Sequence, residues 1–277
     1  MREEAGPDDA TQLRRVAETV AAEAAAHLRD LPRPDARGVS TKSSPTDVVT
    51  MADTAVEQLL RDRLARLRPG EAVVGEESGG AGATSGVTWV VDPIDGTVNY
   101  LHGLPWYAVS VAAVRDGAAV AGAVAEPVSG RLWSASAGAG ATCDGRSLRV
   151  SGLDDVGRAV VGTGFAYRAQ RRAAQARMVA ALLPRVGDVR RAGSAALDLC
   201  AVAAGWLDGY LEHGTNWWDW AAAALIAAEA GATVRVPGPP GATPPDDGLG
   251  ADAVFVATPA IAADLAALAR EHGAGDV

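Results

Sequence analysis

Cysteine is nearly missing from this chain: its 277 residues include only Cys143 and Cys200. The two lie far apart and outside any C-x-x-C spacing, so neither a disulfide scaffold nor a thiolate zinc or redox site is in view. Lysine and asparagine are scarce too. Of 25 basic residues only Lys42 is a lysine, and Asn99 and Asn216 are the only asparagines. In a chain crowded with Ala, Gly, Arg and Val, this reads as a GC-rich coding bias, which the gene sequence would test. A Lys or Asn that survives such a bias marks a position where chemistry can demand it.

Positive charge is also short. The 25 Lys plus Arg face 34 Asp plus Glu, and a net charge of -9 repels nucleic acid backbones and anionic membranes. No nucleic acid or membrane partner is expected, and a phosphorylated substrate would need a cation as intermediary. The N-terminus shows no basic region followed by an apolar stretch. Elsewhere the apolar windows are alanine-rich and are broken by Glu or Gly before reaching membrane-spanning length. The expectation is a soluble protein of the reducing cytoplasm.

The length sits near the upper edge of what one domain usually holds, roughly 250 residues. No repeat and no long linker divides it, so one compact unit with two halves is expected. In residues 1–150, an α+β half, Leu13, Val16, Val20, Ala24 and Leu28 recur at helical spacing until Pro32 and Pro34, and Gly38 to Pro45 reads as a polar loop. Asp47 to Thr50 is β-branched, and a second helix follows with Asp53 in its first turn. Strands are expected at Ala72–Gly75 and Thr88–Val91, with a small-residue loop between them, and an antiparallel meander from Tyr107 to Val150. Residues 151–277 alternate strand and helix as an α/β half, with a Pro- and Gly-rich loop from Pro237 to Asp247.

Five carboxylates fall at element ends, where side chains can converge: Asp53, Glu76, Asp92, Asp95 and Asp219. Like charges a few ångströms apart in a low-dielectric cleft repel by several kcal/mol, so they call for a compensating cation. The donors are oxygens without His or Cys, which favours magnesium, or manganese, over zinc. In Asp92-Pro93-Ile94-Asp95-Gly96-Thr97 the rigid Pro93 can turn both carboxylates and the Ile94 carbonyl toward one point. The D-x-x-D spacing does not match the D-x-D of haloacid-dehalogenase phosphatases. Gly96 and Thr97 offer backbone N–H groups, suited to phosphate oxygens, at a turn that leads into a short helix.

Together Asp92 to Thr97, Gly75-Glu76-Glu77-Ser78, Lys42 to Asp53, and Trp218-Asp219 with Glu229-Ala230-Gly231 resemble the inositol monophosphatase family. The order and approximate spacing match over nearly the whole chain. The resemblance implies a layered α-β-α-β-α sandwich of the inositol monophosphatase and fructose-1,6-bisphosphatase type. It also implies a homodimer that hydrolyses phosphomonoesters with two or three magnesium ions, often with lithium sensitivity. Carried over, Glu76, Asp92 and the Ile94 carbonyl hold a first metal, and Asp92, Asp95 and Asp219 a second. Glu76 also serves a third ion, and Asp53 and Lys42 sit beside the site. Gly193, Ser194, Ala195 and Glu212, with Asp95, face the alcohol of the substrate.

The mechanism so implied is in-line attack by a metal-activated water positioned by Thr97 and Glu76. Plainer readings exist: Asp53 and Asp219 as helix N-terminal acids, Glu76 as a solvated loop acid beside Glu77, Ser194 as a helix cap, and Glu212 as a surface or ion-paired acid. Chemistry alone does not separate Glu76 from Glu77; family spacing selects Glu76. The substrate expected is myo-inositol 1-phosphate or a related polyol phosphate. The alternatives are histidinol phosphate, fructose 1,6-bisphosphate or adenosine 3′,5′-bisphosphate, and a non-catalytic magnesium-binding interaction protein.

Overall fold

The computed structural model describes residues 7–31, 39–41, 48–83 and 86–277. Helix α1 (Pro7–Asp30) buries Leu13, Ala17, Val20, Ala24 and Leu28 along one stripe, as the 3.6-residue repeat requires. Helix α2 (Met51–Leu67) buries Val56, Leu60 and Leu64 in the same way and carries Asp53 in its first turn. Both helices lie on one face of a seven-stranded sheet: β3 (Ala72–Gly75), β4 (Val87–Asp95), β5 (Ala108–Arg115), β6 (Ala118–Ala125), β7 (Leu132–Ser136), β8 (Ala141–Cys143) and β9 (Arg146–Ser147). Only the β3 and β4 pair is parallel; the rest is the expected meander.

Alternation along β4 assigns its two faces. Trp89 and Val91 join the core under α1 and α2, whereas Val90 joins a second core on the opposite face. Helices α5 (Ala195–Ala203) and α6 (Trp217–Glu229) fill that second core, and their apolar content on all sides reflects burial between two sheets. Beyond them lies a five-stranded sheet ordered β11 (Asp188–Arg190), β10 (Val160–Thr163), β12 (Gly209–His213), β14 (Ala253–Ala257), β13 (Thr233–Arg235). Helices α4 (Ala169–Leu182) and α7 (Pro259–Glu271) cover its far face. The result is the layered α-β-α-β-α sandwich that the family resemblance implied. Among the described residues no helix is long and apolar enough to cross a membrane.

Three local expectations change. The polar loop from Gly38 contains a strand, β1 (Val39–Thr41), paired antiparallel with β2 (Val48–Thr50), Val39 opposite Thr50. Three residues are too few to show alternation, so pairing rather than pattern defines it. Strand β4 runs past Val91 to Asp95, with a register shift against β5 between Asp92 and Asp95. Pro93 lacks an N–H for the ladder, so the strand bulges where the metal-binding acids were expected to turn. Helix α6 starts at Trp217, ahead of Asp219, the acid read as a possible helix N-terminal residue. Asp219 is therefore its third residue, and it accepts a hydrogen bond from the backbone N–H of Asn216 at 2.7 Å.

The approach of α6 to the seven-stranded sheet is set by Gly122 on β6. A Cβ there would lie 2.9 Å from the Ala222 Cα and 3.0 Å from its Cβ. Gly122→Val should overpack this contact and cost about 1–3 kcal/mol, measured by urea unfolding. An unchanged unfolding midpoint would show that the two layers have slack.

Candidate metal and phosphate site

The end of β4 and the start of α6 meet at the carboxylates. One oxygen from each of Asp92, Asp95 and Asp219 lies within 4.8 Å of the others. Asp92 and Asp95 are buried and Asp219 is partly so. Asp92 bends back on its own loop, accepting from the Ile94 N–H at 2.9 Å. Glu76, just past β3, hydrogen-bonds Asp92 and adds its charge to the fields at Asp95 and Asp219. Thus the structure brings together Glu76, Asp92, Asp95 and Asp219 from three separate segments.

Burial is the first reason that the Asp92 and Asp219 carboxyls titrate well above the ordinary range. Repulsion follows, from Glu76 and Asp95 at Asp92 and from Asp95 and Glu76 at Asp219. Asp95 is pushed up to about 7 by burial, although hydrogen bonds from Ser194 and the Ala196 N–H pull the other way. Among the described residues no Lys, Arg or His comes within ion-pair distance of these three acids. An all-oxygen cluster of this kind, unmatched by cations among the described residues, fits a hard divalent ion.

Thr97 opens the short helix α3 (Thr97–His102). Its hydroxyl lies 3.0 Å from the Ile94 carbonyl oxygen and 3.2 Å from Asp53 Oδ1, and can donate to either. Asp53, fully buried at the start of α2, is thereby joined to the turn after β4. Gly96 adopts a φ of +96°, and a Cβ there would press on the Gly193 carbonyl oxygen at 3.2 Å. A glycine is needed both for the left-handed turn and for the approach of the Gly193 loop. Lys42 lies outside the described residues.

On the other side of Asp95 stands the N-terminus of α5. The Ser194 hydroxyl and the N–H groups of Ala195 and Ala196 all donate to the Asp95 carboxylate. Ser194 also caps the helix, accepting from the Leu197 N–H at 3.2 Å, so its plainer role is real and coexists with contact to the acidic cluster. Glu212 on β12 adds its charge to the field at Asp95 and accepts a hydrogen bond from the Tyr210 hydroxyl. Burial raises its carboxyl above the usual range, against opposing contributions from Tyr210 and Arg191.

Three residues around the site had no role assigned from the sequence, although two of them, Asn99 and Asn216, stood out by their rarity. The Asn99 side chain donates to the Trp106 and Ala192 carbonyls at 2.7 and 2.9 Å, tying the helix after the acidic loop to the Gly193 segment. Asn216 opens the helix that carries Asp219. Their rarity in this chain was the available signal. Asp198, buried and receiving the Trp106 indole N–H at 3.1 Å, adds another acid near Glu212 and Asp95. Nothing in its helical sequence position marks it.

Fold and acidic cluster together describe a layered α/β enzyme scaffold with three carboxylates placed so that they could hold a metal ion. Residues 9–274 match the inositol monophosphatase family, and the chain belongs to that family of phosphoric monoester hydrolases. The inositol-1-monophosphatase of Mycobacterium leprae is 54% identical over 290 residues, covering 96% of this chain and 97% of that protein. The Nus factor SuhB of Pseudomonas aeruginosa is 40% identical over 213 residues, 75% of this chain and 78% of that protein. Among solved structures, Mycobacterium tuberculosis SuhB matches with a TM-score of 0.80 and 47% identity, covering 96% of this chain and 98% of that one.

The raised carboxyls set a sign for the cation-free protein. Carboxylates in an unfolded chain titrate near about 4. In the fold, Asp95 titrates at about 7, with Asp92 and Asp219 also raised. The protonated forms favour the fold fully below the unfolded value, and that contribution is lost as pH rises through about 7. A bound divalent cation offsets the loss. The increase in Tm on adding saturating magnesium to chelator-treated protein should therefore be larger at about pH 8 than at about pH 5. An increment that is flat or shrinks with pH would contradict this site.

Proposed function

We propose that this protein is a magnesium-dependent phosphatase of myo-inositol 1-phosphate or a related polyol phosphate. It acts as a lithium-sensitive homodimer, and manganese can replace magnesium. The observation that carries the reading is the convergence of Asp92, Asp95 and Asp219 within 4.8 Å, without a matching protein cation among the described residues. The likeness to a mycobacterial inositol-1-monophosphatase supports the choice of alcohol.

In this reading Glu76, Asp92 and the Ile94 carbonyl hold one cation, Asp92, Asp95 and Asp219 a second, and Glu76 contributes to a third, weaker one. When bound, the cations acidify water and screen the negative charge of the phosphate. The protein's own groups do the positioning. Thr97, set between Asp53 and the Ile94 carbonyl, orients the attacking water together with Glu76. Lys42 and Asp53 flank that position, and the backbone N–H groups of Gly96 and Thr97 take phosphate oxygens. Gly193, Ser194 and Ala195 with Asp95 form one wall for the alcohol, and Glu212 accepts from its hydroxyls. Hydrogen bonds from the Ala195 and Ala196 N–H groups keep the Asp95 carboxylate in place.

A second role, in contact with other macromolecules, is favoured only by the similarity to a Nus factor SuhB. It is compatible with catalysis.

Phosphate release from a substrate panel, with magnesium and with or without lithium, tests the reading. Inositol 1-phosphate should be hydrolysed best and lithium should inhibit. Asp92→Asn should lower kcat/KM on the order of 100-fold or more. Wild-type turnover by Asp92→Asn at saturating magnesium would sink the metal mechanism. Preference by orders of magnitude for histidinol phosphate, fructose 1,6-bisphosphate or adenosine 3′,5′-bisphosphate would move the protein to another branch of the family. Absence of any release would leave the non-catalytic reading.

A further inference from the structure

One turn beyond Asp53, helix α2 carries a second buried acid, Glu57, which is 2% exposed and not part of the acidic cluster. Its carboxylate faces the turn that follows β3. There it accepts from the Glu77 N–H at 2.7 Å, from the Ser78 N–H at 3.1 Å and from the Ser78 hydroxyl. A fourth donor, Arg61 Nε at 3.0 Å, comes from the same helix. The Arg61 guanidinium then spans the turn, donating to the Val73 carbonyl at 3.1 Å and the Gly79 carbonyl at 2.6 Å. Gly75 and Gly79 close the turn by exchanging two backbone hydrogen bonds of 3.0 Å.

Gly75 is what admits the carboxylate. A Cβ at this position would lie 2.5 Å from the Glu57 carboxyl carbon and 2.6 Å from both oxygens. Every backbone group from Val73 to Gly79 that this pair of side chains engages thus surrounds Glu76, while Glu76 itself turns to Asp92. A buried ion pair is a weak way to gain stability, because apolar residues of similar volume usually do as well. It is a good way to hold a backbone, since four donors fix the carboxylate in position and in plane.

We propose that Glu57, braced by Arg61, is a positioning residue that fixes Glu76 against the cation site and locks it to the helix that carries Asp53. The proposal rests on the reading of Glu76 as a cation ligand. With Glu57 in place, the two acids approach the site as one rigid body. Without it, the turn at 76–78 loses its anchor and Glu76 is presented over a range of positions.

The test is magnesium affinity. Glu57→Gln keeps the shape but sets an amide N–H₂ against donors. It should raise the magnesium concentration for half-maximal activity about 10-fold to 100-fold and shrink the magnesium-induced rise in Tm of the chelator-treated protein. KM for substrate at saturating magnesium should stay within about 2-fold, in keeping with an effect on metal rather than on substrate. Gly75→Ala retains every charge and should produce the same pattern by displacing the carboxylate. Ser78→Ala, which removes one hydroxyl donor, should give a smaller shift and serves if Glu57→Gln does not fold. Arg68→Gln, which breaks the Arg68 and Glu71 pair at the other end of α2, should lower stability without moving the magnesium requirement. Wild-type magnesium requirement and Tm increment in both Glu57→Gln and Gly75→Ala would overturn the positioning role. A wild-type protein whose activity and Tm ignore magnesium would instead overturn the metal reading and this proposal with it.

Discussion

The mutual repulsion of carboxylates gathered where the two sheets meet is the constraint on which the rest of the structure depends. Oxygens of Asp92, Asp95 and Asp219 lie within 4.8 Å of one another, and unit charges at that separation repel by roughly 3–4 kcal/mol per pair at an effective dielectric near 20. No fold would gather such groups to gain stability. Each acid is instead restrained by backbone: Asp92 by the Ile94 N–H, Asp95 by the start of α5, Asp219 by the start of α6. These N–H groups are orphan donors of turns and helix termini, so the same contacts that hold the acids also complete the hydrogen bonding of the elements that carry them.

This arrangement accounts for the layered fold around it. Helices α5 and α6 are apolar on nearly every side because they lie between two sheets, yet both begin beside the acids, where their N-terminal N–H groups are of use. The bulge in β4 at Asp92-Pro93-Ile94-Asp95 shifts its ladder with β5 at the same place, just before the last pair, Asp95 with Ala108. Architecture and chemistry thus share their boundary, and the polar cleft is the line along which the apolar layers stop.

Much of this was readable from the chain. The amphipathic stripes of α1 and α2, the meander and the α/β alternation follow from periodicity. The prominence of Asp92 and Asp95 was readable from the motif itself, because two acids separated by Pro-Ile and followed by Gly-Thr are more than a turn requires. The strand β1 was not readable, since three residues carry no period, and neither was the start of α6 at Trp217, because a run of aromatics offers no boundary. Nothing in the sequence pattern marks Glu57. Its partners are the backbone N–H groups of Glu77 and Ser78, and backbone donors leave no trace in side-chain pattern.

The sequence by itself determined the chemistry: hard oxygen donors, a chain too acidic to meet a phosphate unaided, and the segments from which the donors come. Tertiary structure decided the geometry, namely which acids share a point, that Ser194 and the α5 N–H groups restrain Asp95, and that Glu57 and Arg61 brace the turn bearing Glu76. The reason is physical. Ligand type and helix or strand period are local properties written in consecutive residues, whereas convergence depends on how distant layers pack, and packing is settled by the whole core at once.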